Sequence, residues 1–425
     1  MAYPNDDDTM MHSERDLSEP TAAPFSSRAM AAWPVAAATL LLLLFSVGEL
    51  FRFFFSALAL GGLYLLVRRR QWPLEPGFLR FAAAFACLWL PMLASVVDAE
   101  SQWVAATNTA RYLIYLFAGY LWIGAFVRHG TTRALLGGAF AVLLYWSADA
   151  LFQFATGVDF FGNEAYVGER LSGMMGPRLT VVLAALSPVF FHALLRFGSR
   201  RRPLWLLVFP YLAVVLYGGS RIAWMLILLS LALYGALLLA MGLRLKLRRL
   251  AMIVSAVAVA AALAITQTDW LEQRVVQLGG LFSGDYASLN VAVNNRLPHW
   301  AAAAQMFEQN PVNGIGARNY KFSYPDYADD EVFRGQPHLF LLEVAAETGT
   351  IGLVGYGLFL VLVVALLVRL TRQRRFEAVP WGMALLLAAF PLNATLSIYA
   401  HFMSALIWYL AMMFFAVAAR EARAP

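Results

Sequence analysis

Apolar runs of about twenty residues, the length that crosses a bilayer as a helix, alternate with short polar joints along most of this chain. The pattern predicts helices at 30–49, 53–67, 78–97, 110–127, 134–153 and 178–196 in the first half. It predicts six more at 204–218, 221–241, 250–267, 339–368, 380–398 and 402–419. The tenth is too long for one crossing. Leu339–Thr348 is expected to stand above the membrane, with Gly349 and Gly352 marking where the helix enters.

The joints give a direction. Basic residues fill every second one: Arg68–Arg70, Arg128 with Arg133, Arg196 with Arg200–Arg202, Arg244–Arg249, Arg369–Arg375, and Arg420 with Arg423. The others carry Asp98 and Glu100, Asp159 and Glu164, and one long polar stretch. Cytoplasmic loops collect Arg and Lys, so both termini are expected in the cytoplasm and the long stretch outside. Residues 1–27 are polar and lack a signal peptide's basic start and cleavage site, which predicts a disordered cytoplasmic tail. Residues 28–425 form the membrane domain, which is expected to close at Pro425 without a further domain.

Composition agrees. The chain is 61% hydrophobic and 14% charged, against roughly 25% charged in soluble domains. Its net charge of +6 follows the alternating joints, which argues for topology and against nucleic-acid binding. Cys87, the one cysteine, reads as a packing residue. The chain contains no P-loop, dinucleotide fingerprint, CxxC or HExxH.

The long stretch, Thr268–Gly352, contains NNRLPHW, NPVNGIGARNYKF and QPHLFLLEVAAETGTIG. Its many aromatic residues predict a folded loop, between helices 9 and 10 and covering about 268–338. Arginines on this outer side are Arg52, Arg111, Arg170, Arg178, Arg221, Arg274, Arg296, Arg318 and Arg334, joined by Lys321. Snorkelling at the interface accounts for such residues one at a time.

Arg221 stands out. Gly218-Gly219 breaks the chain, Ser220 is placed as a cap, and Arg221 falls in the first turn of the eighth helix. Free N–H groups and a guanidinium together suit an anion; the rival reading is an interface anchor. Arg296 in NNRLPHW and Arg178 in GMMGPRLT serve either as phosphate ligands or as salt-bridge partners. His338 follows Pro337, which suits the first turn of the helix LFLLEVAAE. There the dipole favours a neutral imidazole that could act as a base, with a capping or packing histidine as the alternative. The acidic run Asp326, Asp329, Asp330 and Glu331 matches no metal cage and reads as a solvated face.

GGSRIAWM, NNRLPHW, PVNGIGARNY and PHLFLLEVAAETGTIGL, in that order on the outer side of about 12 transmembrane helices, resemble the O-antigen ligase superfamily. That superfamily includes O-antigen polymerases and pilin O-oligosaccharyltransferases. The resemblance implies an all-α, GT-C-like integral membrane glycosyltransferase of a Gram-negative inner membrane. It implies a glycan donor linked to undecaprenyl pyrophosphate, used at the periplasmic face, and no cofactor or metal. His338 matches the loop histidine proposed as base, and Arg221 and Arg296 match the arginines thought to hold the pyrophosphate. Leu339 stands where many relatives have Asn.

Together these readings predict transfer to a lipid A–core hydroxyl with inversion, His338 as base, Arg221 and Arg296 as clamp, and Arg178 as a further member. A polymerase would use the same donor with a second lipid-linked glycan. A protein-directed transferase ranks below it, because no added C-terminal region is seen. A transporter of lipid-linked glycans would need ionisable residues near the midplane, where Asp149 is the clearest candidate.

Overall fold

A computed structural model describes residues 24–68, 74–165, 170–198, 201–242, 269–328 and 335–423. Among them no strand forms beyond a single bridge, Val158 to Glu164. The first half holds α1 (Pro24–Leu44), α2 (Leu50–Arg68), α3 (Pro76–Ala94), α4 (Gln102–His129), α5 (Thr132–Thr156), α6 (Leu179–Gly198), α7 (Val208–Tyr217) and α8 (Arg221–Ala240). The second half holds α9 (Asp269–Leu278), α10 (Tyr286–Ala292), α11 (Leu297–Gln309), α12 (Phe340–Arg372), α13 (Val379–Ala388) and α14 (His401–Glu421).

Eight helices among the described residues are long and apolar enough to cross a membrane. The first, seventh and eleventh expected spans appear as shorter apolar helices, and the ninth, 250–267, lies outside the described residues. Phe402–Ala419 of α14 is apolar on nearly every face and buried throughout, as befits a helix at the centre of a bundle. It packs against α3, α4 and α13, with Trp408 in edge and tilted contact with Phe81, Phe85 and Phe359. Around this axis the remaining helices press close. At Gly62 of α2 an added Cβ would lie 2.0 Å from the Phe117 carbonyl oxygen of α4, the kind of backbone approach small residues permit in membranes.

Ion pairs gather at one end, where the basic joints lie. Glu75 accepts from Arg423 and meets Arg128 at 3.5 Å, while Glu377 meets Arg196 at 3.6 Å and His192 at 3.8 Å. One surface of the bundle therefore carries the positive joints together.

The eleventh span departs from expectation. A continuous helix over 380–398 would suit the hydropathy, yet α13 stops at Ala388 and residues 389–400 run without regular structure. Pro391 has no N–H to give and pushes the residue before it out of the helical region. Asn393 then accepts from the Thr395 hydroxyl (2.6 Å) and N–H (3.3 Å), a local bond that competes with helix. Non-helical backbone at such a depth is tolerated where protein buries it or a cavity is lined. This segment meets the first condition, since Ser397 and Ile398 within it are bonded to the buried Glu343.

α12 breaks where the sequence suggested. Gly349 sits at φ 62°, ψ −158°, so Phe340–Thr348 forms a separate arm before the long apolar part. A Cβ at Gly349 would lie 2.2 Å from the Val312 oxygen. Thr350 and Ile351 donate to Pro311 and Val312 carbonyls, which seats the NPVNGIGARN turn in the break.

Candidate functional site

That turn is pinned on two sides. Ile315 and Gly316 N–H groups donate to Ala346 and Glu347 carbonyls, and the Glu347 carboxylate accepts from the N–H groups of Arg318 (2.6 Å) and Tyr320 (3.2 Å). On the other side Asp98 accepts from Asn313 at 2.6 Å, and Ser101 N–H donates to Asn319 at 2.8 Å. Ala302, Ala303, Met306, Ile315, Tyr320 and Tyr324 close a small core between α11 and the α12 arm. The polar stretch is folded over its described residues, as its aromatic content suggested.

Ser220 caps α8, its hydroxyl accepting from Ala223 N–H at 3.4 Å, and Arg221 is the first helical residue. Its guanidinium does not hang free at the surface. One terminal nitrogen donates to the Ala292 carbonyl at the end of α10, and the other to the Gln277 side chain of α9. Arg170 lies close enough for its charge to act on Arg221, and partial burial lowers the Arg170 pKa.

The chain leaves α10 through Asn294 and Asn295, both left-handed (φ 60° and 56°), conformations Asn adopts more readily than most residues. Asn290 steers the turn by accepting from Leu297 N–H at 3.1 Å. Arg296 is the residue before the first turn of α11. One turn on, the Trp300 indole donates to the Pro337 carbonyl at 3.0 Å, and His338 is next. Arg221 is thus bonded to the end of α10, and Trp300, whose backbone N–H donates to the Arg296 carbonyl, is bonded to the residue before His338.

Pro337 and His338 precede the helix, which begins at Phe340, and so do not form its first turn. His338 instead occupies the left-handed region at φ 55°, held in place from the next two helical positions. There the Phe340 and Leu341 N–H groups donate to the Asn393 and Pro391 carbonyls. His338 Nδ1 lies 3.3 Å from the Thr395 carbonyl oxygen, and Gln336 Nε2 lies 3.4 Å from that oxygen and 3.2 Å from the ring nitrogen. A carbonyl oxygen only accepts, and its two lone pairs can serve both donors. With its proton on Nδ1 the ring donates to the Thr395 carbonyl and Nε2 is the basic nitrogen; with its proton on Nε2, Nδ1 accepts from Gln336 instead.

Arg178 goes elsewhere. Its guanidinium covers the Phe402 ring at 4.7 Å, a cation–π contact at the head of α14. Its segment does touch the neighbourhood of Arg221, since Leu171 N–H donates to the Tyr217 carbonyl at 3.4 Å. Asp149, the midplane candidate, is buried and accepts from Phe160 (2.8 Å) and Met174 (2.7 Å) N–H groups. It serves as an anchor for two loops. Asp329, Asp330, Glu331 and Arg334 lie outside the described residues.

Two groups that carry the site escaped sequence reasoning, the Thr395 carbonyl and the Glu343 carboxylate. Glu343, in the α12 arm, is buried and accepts from the Ser397 hydroxyl and from Ile398 N–H (3.1 Å). It thereby fixes the broken segment that presents Thr395. The signals available were the Pro-x-Asn spacing of Pro391 and Asn393 inside an apolar run, and a Glu one turn past His338.

Membrane-length helices around a buried axis, with arginines and a histidine held on one folded polar stretch, define a multi-pass membrane protein with a candidate anion-handling site. Residues 205–357 match the family described as O-Antigen ligase. The members of that family are glycosyltransferase-like ligases or polymerases. The match contains Arg221, Arg296 and His338 and leaves out Arg178. No curated protein compared with the chain matches it.

Proposed function

We propose that this protein is an O-antigen ligase. In this reading it moves a glycan from undecaprenyl pyrophosphate to a lipid A–core hydroxyl at the periplasmic face of the inner membrane. The observation that carries the reading is the pair of bonds that seat Arg221 on α10 and Trp300 on Pro337, next to Arg296 and His338 in the chain and wholly inside the family match.

The acceptor hydroxyl is a weak nucleophile, and His338 Nε2 takes its proton as the oxygen attacks the anomeric carbon. The bond from that carbon to the pyrophosphate oxygen breaks, the anomeric centre inverts, and negative charge grows on the leaving pyrophosphate. Preorganised cations stabilise such charge best where water is excluded. Arg296 and Arg221 are suited to this, with Arg221 exchanging Gln277 for a phosphate oxygen when donor arrives. Arg178 takes a supporting place through the head of α14. The proton leaves His338 for water after release.

The test is reconstitution with lipid-linked glycan and lipid A–core. Wild type should place glycan on lipid A–core, and His338→Ala, with membrane insertion verified, should not. Longer glycan on the carrier without a lipid A–core product would mean a polymerase, and movement of labelled donor without any product would mean a transporter.

A further inference from the structure

Two cavities share a wall at the end of the bundle away from the paired basic joints. One, of about 290 Å³, is lined by Trp103, Asn108, Arg111, Arg318, Lys321 and His401. The other, of about 260 Å³, shares Asn108, Arg111 and His401, brings in Arg52 and Glu49, and has Phe55 and Ile114 in its walls. Neither is lined by Arg221, Arg296 or His338.

Arg318 feels the buried Glu347 and Glu343 carboxylates through space, but direct ion pairs in this cleft are few. Glu49 pairs with Arg52 at 3.3 Å. Among the described residues no carboxylate lies within ion-pair distance of Arg111, Arg318 or Lys321. Arg318 is held there by its backbone, left-handed at φ 67° with its N–H on Glu347. A single carboxylate ligand would offset only one of the two exposed cations, Arg111 and Lys321. A phosphate ester carries a charge of about −1.5 to −2 and takes the forked donors of Arg in pairs. At the outer rim Trp103 and Phe53 are 80% and 72% exposed, and a Trp so placed suits the membrane–water interface. The cleft fits a phosphate whose bearer continues into lipid.

Its position relates it to the reaction. The seven residues Thr395–His401 form the partition: the Thr395 carbonyl meets His338, and His401 borders both cavities. We propose that the cleft of Arg111, Arg318 and Lys321 binds a phosphate ester on the head of the acceptor glycolipid, at a site separate from the arginines that hold the donor pyrophosphate. The identity of that lipid as acceptor rests on the transfer reaction proposed above.

The experiment measures equilibrium binding of radiolabelled lipid A–core, intact or phosphatase-treated, to the full-length protein in nanodiscs. Arg111 and Lys321 are exposed, so Arg111→Gln with Lys321→Gln should leave the fold intact. Intact lipid should bind wild type at least about tenfold more tightly than the dephosphorylated form, a difference of about 1.4 kcal/mol. The double variant should lose that preference while binding undecaprenyl-pyrophosphate glycan as before. Equal binding of the two forms to wild type would overturn the proposal. So would loss of donor binding in the variant, or equal occupancy by phosphatidylglycerol or inorganic phosphate. Because binding needs no turnover, phosphate preference without a transfer product sinks the ligase reading alone, and transfer without phosphate preference sinks the cleft alone.

Discussion

His338 turns its Nδ1 to the carbonyl oxygen of Thr395, 57 residues further along the chain, at 3.3 Å. The contact joins the polar stretch to the broken part of the eleventh apolar run. It gives the imidazole a direction, while the left-handed backbone at His338 aims the ring.

That backbone lets chemistry be separated from folding. His338→Asn keeps a residue that tolerates positive φ and removes the imidazole. Its thermal stability should stay within about 0.5 kcal/mol of wild type, while transfer falls by about 10²–10⁴. His338→Val, β-branched at the same angle, should lose about 1–3 kcal/mol as well. Wild-type transfer in the Asn variant would remove His338 from the reaction.

Arg221→Lys tests the tether between α8 and the polar stretch. Lys keeps the charge but lacks the fork that reaches Ala292 and Gln277 together. A hydrogen bond to a charged group is worth about 1.5–3 kcal/mol, so amide exchange over 278–292 should quicken about tenfold or more. Unchanged protection there would show that other contacts hold α10.

Glu343→Ala strips the Ile398 N–H of its acceptor in a buried place. An orphaned donor costs about 1–3 kcal/mol, and the displaced segment should carry Thr395 away from His338, so transfer falls with stability. Glu343→Gln retains one acceptor oxygen and should lose less of both. Melting in detergent and transfer assays check the pair. An Ala variant that melts like wild type would mean the carboxylate does not hold the segment.

Two glycines of α12 should respond oppositely to alanine. At Gly349 the new Cβ meets the Val312 oxygen at 2.2 Å and the angle is left-handed, which costs about 1–2 kcal/mol for conformation alone and more for the clash. At Gly357 nothing lies within 4 Å, and alanine should be neutral or stabilise by about 0.5–1 kcal/mol. Thermal melts of the two variants decide it, and equal melting temperatures would contradict the seated turn.

Local features of the chain were legible before the structure. Ser220 and Arg221 at a helix head, the Gly349 break and the glycine-rich turn at 313–319 all depend on neighbours in sequence, and all stand where their residues suggested. The eleventh run misled because hydropathy averages over Pro391, Asn393, Thr395 and Ser397, whose polar groups are satisfied by one another and by Glu343. Glu343 and Glu347 look like surface residues of a helix until partners far along the chain are in place. Arg111, Arg318 and Lys321 each read as an interface anchor. Their convergence is a property of packing that no single joint displays.

The bond between Glu343 and Ser397 also sets a timetable. Its two ends are 54 residues apart, and synthesis at about 5–20 residues per second separates their emergence by several seconds. During that interval the arm bearing His338 has already left the ribosome while the strap that orients it has not. The arm bearing His338 therefore takes its final direction only once residues 389–400 have emerged, so this part of the fold is completed late in synthesis.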